Sequence, residues 1–137
     1  MKQNNIHLKS VNKTDHEFLF DLLKHRDPNA NISHKKMPSF KEHIKFVESK
    51  PYSKWYIIMQ NNEKVGSIYL SKQNEIGLFL KNNVQGKNIG TKALKLLIMK
   101  TPKKRILANI NPKNKKSIKF FEKNGFKLIQ YTFEFEK

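Results

Sequence analysis

The sequence predicts one mixed α/β domain spanning residues 1–137, with its elements in the order β-α-α-β-β-β-α-β-α-β. Three observations predict it. The chain is 137 residues long, close to the commonest size of a domain built on a single core. Segments in which apolar and polar residues alternate are interleaved with segments of helical spacing. Two of the alternating segments are joined only by Asn61-Asn62 and their flanks, a hairpin signal. Residues 5–11 (NIHLKSV) alternate and read as the first strand. Thr14-Asp15-His16-Glu17 has the form of a capping box and opens a helix carried by Phe18, Leu19, Leu22 and Leu23. Asp27-Pro28-Asn29 breaks that helix, and a loop runs through His34 to Pro38. A second capping box, Ser39 to Glu42, starts a helix with Phe40, Ile44 and Val47 on one side that ends before Pro51. WYIIMQ (55–60) and KVGSIYL (64–70) form the hairpin, and EIGLFL (75–80) is the next strand. Residues 89–100 return to helical spacing, RILANI (105–110) is a strand, and SIKFFEK (117–123) is a helix stopped by Gly125. FKLIQYTFEF (126–135) alternates and reads as the last strand.

Composition excludes several chemistries. With no cysteine there is no disulfide scaffold, no thiolate metal site and no cysteine nucleophile. No long apolar run marks a signal peptide or a membrane span, so a soluble cytoplasmic protein without a membrane partner is expected. The net charge of +17 would suit a polyanion, yet every basic residue except Arg26 and Arg105 is a scattered lysine. Base and phosphate readers rely on bidentate arginine, so nucleic acid is disfavoured. His7, His16, His25, His34 and His43 recur every nine residues, a spacing that matches no metal site. No metal is expected.

The informative junction lies where the 75–80 strand passes through Gln85-Gly86-Lys87-Asn88-Ile89-Gly90-Thr91 into a helix. Successive amides at a helix N-terminus, with glycines removing side-chain obstruction, make a cradle for phosphate. The segment is neither a Walker A loop nor a dinucleotide-binding fingerprint. It resembles instead the pyrophosphate loop of the GNAT superfamily of acyl-CoA-dependent N-acyltransferases, Q/R-x-x-G-x-G/A, with Asn88 standing where the family has its middle glycine. Asn is the next-best residue for a left-handed backbone. Asn114 to Phe126 is similar to a second family motif, N-x-x-S-x-x-F-Y-x-x-x-G-F, and the element order matches over essentially the whole chain.

The resemblance implies a mostly antiparallel mixed sheet flanked by about four helices, with acetyl-CoA as co-substrate. Gln85, Gly86, Lys87, Asn88, Ile89, Gly90 and Thr91 would hold the pyrophosphate, and the backbone near Phe79 and Leu80 would pair with pantetheine. Asn114, Ser117 and Phe121 would border the CoA arm. Glu75 stands where several members carry the general base, or else it only marks a strand edge. The frequent tyrosine acid is replaced by Phe121, which leaves Tyr131 as a weak substitute, or a thiolate that departs unaided. Arg26, Asp27 and His34 border the expected acceptor pocket. Many relatives continue after Gly125-Phe126 through two strands, whereas residues 126–135 hold no turn, so the acceptor site is either open or completed by a second subunit in a homodimer.

The reading is thus an N-acetyltransferase acting on a primary amine by direct attack in a ternary complex, the acceptor being an amino sugar nucleotide or another small anionic amine. The alternatives are a protein or peptide N-acetyltransferase and a CoA-binding regulatory module that has lost turnover.

Overall fold

The computed structural model describes residues 5–26, 37–84 and 88–137. Five strands form one sheet in the order β1 (Ile6–Ser10), β2 (Tyr52–Gln60), β3 (Glu63–Ser71), β4 (Glu75–Leu80), β5 (Leu107–Ala108). All neighbours are antiparallel except β4 and β5, which run parallel. Four α-helices, α1 (His16–Lys24), α2 (Phe40–Glu48), α3 (Ile89–Met99) and α4 (Lys115–Lys123), complete the mixed α/β architecture that the sequence predicts. No helix among the described residues is long and apolar enough to cross a membrane.

Strand geometry sends consecutive side chains to opposite faces, and β2 uses this to feed two cores. Ile58 joins Val65, Ile68, Leu97 and Phe121 on the face covered by α3 and α4. Its neighbour Ile57 packs with Leu19 of α1 and Val47 of α2 on the other face. Both isoleucines are fully buried, each contributing about 1.5–3 kcal/mol.

Short-range signals set most boundaries. Ser39 and Glu42 form the capping box of α2 as the sequence predicts, with the Glu42 amide donating to Ser39 Oγ at 3.1 Å. Asn61 (φ 57°) and Asn74 (φ 65°) occupy the left-handed conformations of the two hairpin turns. Gly125 (φ 93°) ends α4, and the Phe126 amide reaches back to the Phe121 carbonyl at 2.9 Å, closing a Schellman motif.

Four elements differ from the sequence reading. The first capping box is built by Asn12 and Asp15, ahead of the predicted Thr14 and Glu17, because a short 3-10 turn (Lys13–Asp15) precedes α1. The fourth predicted helix begins at Lys115, two residues earlier than expected, because Asn114 caps it. The 105–110 strand is ordered as β only at Leu107–Ala108, and residues 126–135 pair with no strand. Both losses have one cause. A strand needs a neighbour to satisfy its backbone, and no strand among the described residues pairs beyond β5.

Asp15 ties the start of α1 to the sheet. Its fully buried carboxylate accepts from Lys9 Nζ at 2.7 Å and from the Asn12 amide at 2.8 Å, and Lys64 Nζ of β3 lies 2.7 Å from its other oxygen. Burial alone would raise its pKa, but hydrogen bonds from Lys64, Lys9 and Asn12 outweigh that and hold it below the ordinary 3.8. A carboxylate whose pKa is lowered by folding adds stability above its unfolded pKa, and the contribution is lost as pH falls through the folded value. Asp15→Asn should therefore cost about 2–3 kcal/mol at pH 7, since both lysines keep partial access to water. In thermal unfolding the gap between wild type and variant should narrow as pH drops below about 4. A gap independent of pH would contradict the ion-pair account.

Candidate active site

β4 pairs with β3 from Ile76 through Leu80, but with β5 only at Glu75↔Leu107 and Ile76↔Ala108. From Gly77 to Leu80 its second edge has no strand beside it among the described residues. β5 veers off because Asn111 closes a turn, accepting from the Asn114 amide at 2.8 Å, and Asn114 then caps α4. The resulting wedge opens into a cavity of about 420 Å³, with Glu75, Gly77 and Phe79 on the β4 side and Asn109, Asn114, Ser117 and Phe121 opposite.

At the far end of the wedge stands the N-terminus of α3. Asn88 adopts φ 61°, ψ 11°, the left-handed conformation anticipated for it, and its side chain makes no capping hydrogen bond. The first intrahelical bond runs from the Lys92 amide to the Asn88 carbonyl at 3.1 Å, so the amides of Ile89, Gly90 and Thr91 have no partner within the helix. The helix dipole adds positive potential there. Gly90 also sits where two helices meet. A Cβ on Gly90 would lie 3.1 Å from the Phe120 ring, so this glycine lets α3 and α4 approach closely.

An aromatic wall flanks Glu75. The Glu75 amide donates to Ser71 Oγ at 3.0 Å, and Asn109 Nδ2 donates to Glu75 Oε2 at 2.7 Å. Tyr69 lies across Gly77 so closely that a Cβ there would sit 2.1 Å from Tyr69 Cζ, which is why this strand position is glycine. Tyr52 stacks on Tyr69 with centroids 3.8 Å apart and planes 4° apart. Burial raises the pKa of both phenols. For Tyr52, the charge and hydrogen bond of Tyr69 raise it further, and Arg26 opposes. For Tyr69, the bond from Tyr52 and the charge of Arg26 oppose the rise, and Glu75 adds to it. The Arg26 guanidinium rests 5.3 Å from the Phe79 ring centroid, with its pKa lowered by burial and partly restored by Tyr69 and Tyr52.

An extended acyl carrier bearing amides and phosphates matches this opening. The free edge of Gly77–Leu80 offers backbone pairing, and the N-terminus of α3 offers amides to an anion. Residues 5–127 match the model of the acetyltransferase (GNAT) domain. The chain belongs to the GNAT acetyltransferase family. It is an acyl-CoA-dependent N-acyltransferase domain. Among solved structures, this GNAT domain is similar to a domain from Methanocaldococcus jannaschii, at 26% identity and TM-score 0.78 over 95% of this chain and 93% of that one. It is also similar to an aminoglycoside N-acetyltransferase in complex with CoA, at 15% identity and TM-score 0.75 over 99% and 97% of the two chains. A ribosomal α-N-protein acetyltransferase in complex with coenzyme A gives 18% identity and TM-score 0.75 over 93% and 83%. No curated protein sequence gives a significant match.

In this GNAT domain, Glu75, Phe79, Asn114, Ser117, Phe121 and Arg26 come together around one cavity. Leu80 continues the free β4 edge toward Asn88. Asn114 spends its Oδ1 on the Ser117 amide at 3.2 Å, which leaves its Nδ2 for the wedge. Phe121 is buried between Phe120 and Phe126 and has no proton to give. Gln85, Gly86, Lys87, Asp27 and His34 lie outside the described residues. Tyr131 is exposed beyond α4, stacks on Phe133 at 6.5 Å and is not among the residues that line this cavity. A strand position needs a neighbouring strand to aim its side chain, and residue 131 has none. Tyr52, Tyr69 and Asn109 are among the cavity residues that sequence reasoning missed. One signal was available at Gly77, because a glycine inside a strand often marks a place of close approach. Among the described residues, no group of three metal-ligating side chains forms.

The contact between Tyr69 and Gly77 is testable by a double-mutant cycle. Gly77→Ala alone should lower stability by about 1–3 kcal/mol, as overpacking does. In a Tyr69→Ser background the same change should cost much less, because the ring is gone. Equal costs in both backgrounds, measured by urea unfolding, would show that the ring does not constrain residue 77.

Proposed function

We propose that this single domain of residues 1–137 transfers acetyl from acetyl-CoA to the primary amine of a small anionic acceptor, by direct attack in a ternary complex. The observation that carries the acceptor class is Arg26. Its guanidinium lines the cavity, Nε is buried without a hydrogen-bond partner, and no carboxylate pairs with it among the described residues. A cation in that position favours a carboxylate or phosphate on the acceptor and disfavours polyamines.

When bound, acetyl-CoA would supply a thioester carbon, to which the amine nitrogen bonds as the carbon–sulfur bond breaks; the thiolate leaves with a proton from its acid, and the proton that the acylated nitrogen sheds restores that acid. Glu75 takes the proton that the ammonium must lose before it can attack. Asn109 holds one oxygen of that carboxylate and acts as a positioning residue, leaving the other free to receive the proton. Tyr69 gives the proton to the leaving group. Its raised pKa keeps the phenol protonated through neutral pH, and the nearby Arg26 charge favours the phenolate left behind. The amides of Ile89, Gly90 and Thr91 hold phosphate, and the free β4 edge fixes the acyl arm, so much of the rate gain comes from positioning.

Transfer to a protein α-amino group is the second reading, supported by the ribosomal α-N-protein acetyltransferase among the similar structures. A panel of amines with and without an anionic group separates the two. Acetyl-CoA should raise the melting temperature, by an amount equivalent to about 2.7 kcal/mol at a hundred times its Kd. Arg26→Gln should raise KM for anionic amines by about 10- to 100-fold and leave the acetyl-CoA shift unchanged. If peptides are acetylated and small anionic amines are not, the acceptor assignment fails.

Glu75→Gln should cut kcat by about 10²- to 10⁴-fold at pH 7, with a deficit that shrinks toward the pKa of the amine itself. Tyr69→Phe should produce a loss of similar size. Because the phenol titrates above its ordinary value of 10, the wild-type rate should show no descending limb below about pH 10. A Tyr69→Phe enzyme that turns over at the wild-type rate would exclude Tyr69 as the acid.

A further inference from the structure

The β3–β4 turn that leads into Glu75 also borders a second cavity. It measures about 410 Å³ and forms where β2, that turn and the segment after α3 meet. Residues of the turn alternate between the two cavities: Ser71, Gln73 and Glu75 line the first, and Leu70, Lys72 and Asn74 line the second. A bulge divides β2 in the same way. Tyr52 pairs with Ser71 and Lys54 with Leu70, so Ser53 is an extra residue in the strand. Regular alternation would put Tyr52 and Lys54 on one face, and the inserted residue sends them to different cavities.

Three ammonium groups border the second cavity. Lys54 is half-buried on β2, Lys72 stands in the turn, Lys103 follows α3, and no carboxylate lines the cavity beside them. None of the three forms an ion pair among the described residues. Lys100 adds to the local charge, its Nζ lying 5.9 Å from the ring centroid of Tyr56, two residues along β2 from Lys54. Like charges brought together from separate segments repel, and the repulsion is strongest where burial thins the intervening water. The frame that gathers them is fixed. Ser53 Oγ donates to the Leu70 carbonyl at 3.0 Å, and Thr101 Oγ donates to the Leu97 carbonyl at 2.8 Å. The Asn74 amide donates to the Ser71 carbonyl at 3.0 Å, and its carbonyl accepts from the Leu107 amide at 2.9 Å. With these groups spent on the backbone, the ammonium groups are what the cavity offers to an occupant. We propose that it is a second binding site for a small phosphorylated molecule with at least two negative charges. Lysine acts on phosphate as a point charge, and a cavity of this volume lies within the range of about 300–1,000 Å³ that holds small ligands. No aromatic ring and no arginine lines it, so it lacks the stacking platform on which a nucleic-acid strand is held. Such an occupant touches the turn in which Ser71 Oγ holds the Glu75 amide at 3.0 Å.

The probe is inorganic pyrophosphate, titrated into the nitrogen-15-labelled full chain with excess coenzyme A at about 0.15 M salt and followed through amide chemical shifts. Saturable shifts are expected at Ser53, Lys72, Asn74 and Thr101, with a Kd of about 0.1–1 mM, and none at Gly90 or Thr91. Lys54→Gln with Lys72→Gln and Lys103→Gln should weaken binding about tenfold or more. Lys41→Gln with Lys119→Gln and Lys123→Gln removes the same charge from exposed positions outside the cavity and should weaken it about twofold at most. Should the first triple variant not fold, Lys72→Gln with Lys103→Gln alters exposed positions only and should still weaken binding about threefold or more. Gly90 and Thr91 report coenzyme A separately, so a failure of the acyl-donor reading is distinguishable from a failure here. Shifts confined to Gly90 and Thr91, equal losses in the two triple variants, or displacement of pyrophosphate by single-stranded oligonucleotides that bind more tightly with length would each overturn the proposal.

Discussion

Everything around the catalytic cavity depends on one constraint: β4 is fully hydrogen-bonded along one edge and only briefly along the other. The β3 side holds the strand rigid from Ile76 to Leu80, and the β5 side lets go after Ile76. A strand freed on both edges would fray, and one paired on both would leave no opening. The half-paired state exposes a row of backbone donors and acceptors without loss of order. The Asn111 turn, the Asn114 cap and the α3 N-terminus all gain their meaning from standing around that opening. Gly77 extends the same logic to side chains, since removing one Cβ lets Tyr69 lie across the freed edge beside Glu75.

Charge is distributed with similar economy. Asp15 gathers Lys9 and Lys64 at one fully buried carboxylate, joining β1, β3 and the turn before α1. Most other lysines remain in water, where mutual repulsion is screened over about 8–10 Å at physiological salt. One of the two arginines is withdrawn into the cavity, against Phe79. A guanidinium suits that position better than an ammonium, because it is more weakly hydrated and stacks on a ring.

Much of this was legible in the sequence because the signals are local. Ser39 to Glu42, Asn61, Gly125 and the exact span of residues 75–80 depend on neighbours a few positions away. Asn88 was legible for the same reason, since its left-handed backbone follows from a shortlist of residue types. What escaped was non-local. Tyr69 meets Gly77 across a strand pair, Asn109 meets Glu75 across a parallel one, and Tyr52 reaches Tyr69 from a third strand. Cross-strand register decides these meetings, and a single sequence does not state it. Residues 126–135 misled for the converse reason, because alternation was visible where the partner that would make them a strand was not.

The aromatic wall has an optical consequence. Trp55 is the sole tryptophan, its Nε1 donates to Ser67 Oγ at 2.8 Å, and its ring stands edge-on to Tyr52 at 4.7 Å. Tyr52 in turn is stacked on Tyr69, which lines the cavity together with Glu75. Any molecule that shifts the Tyr69 ring therefore disturbs the immediate surroundings of the only indole. The protein carries its own fluorophore beside the wall of the cavity, so occupancy of the cavity can be followed through native emission without a label.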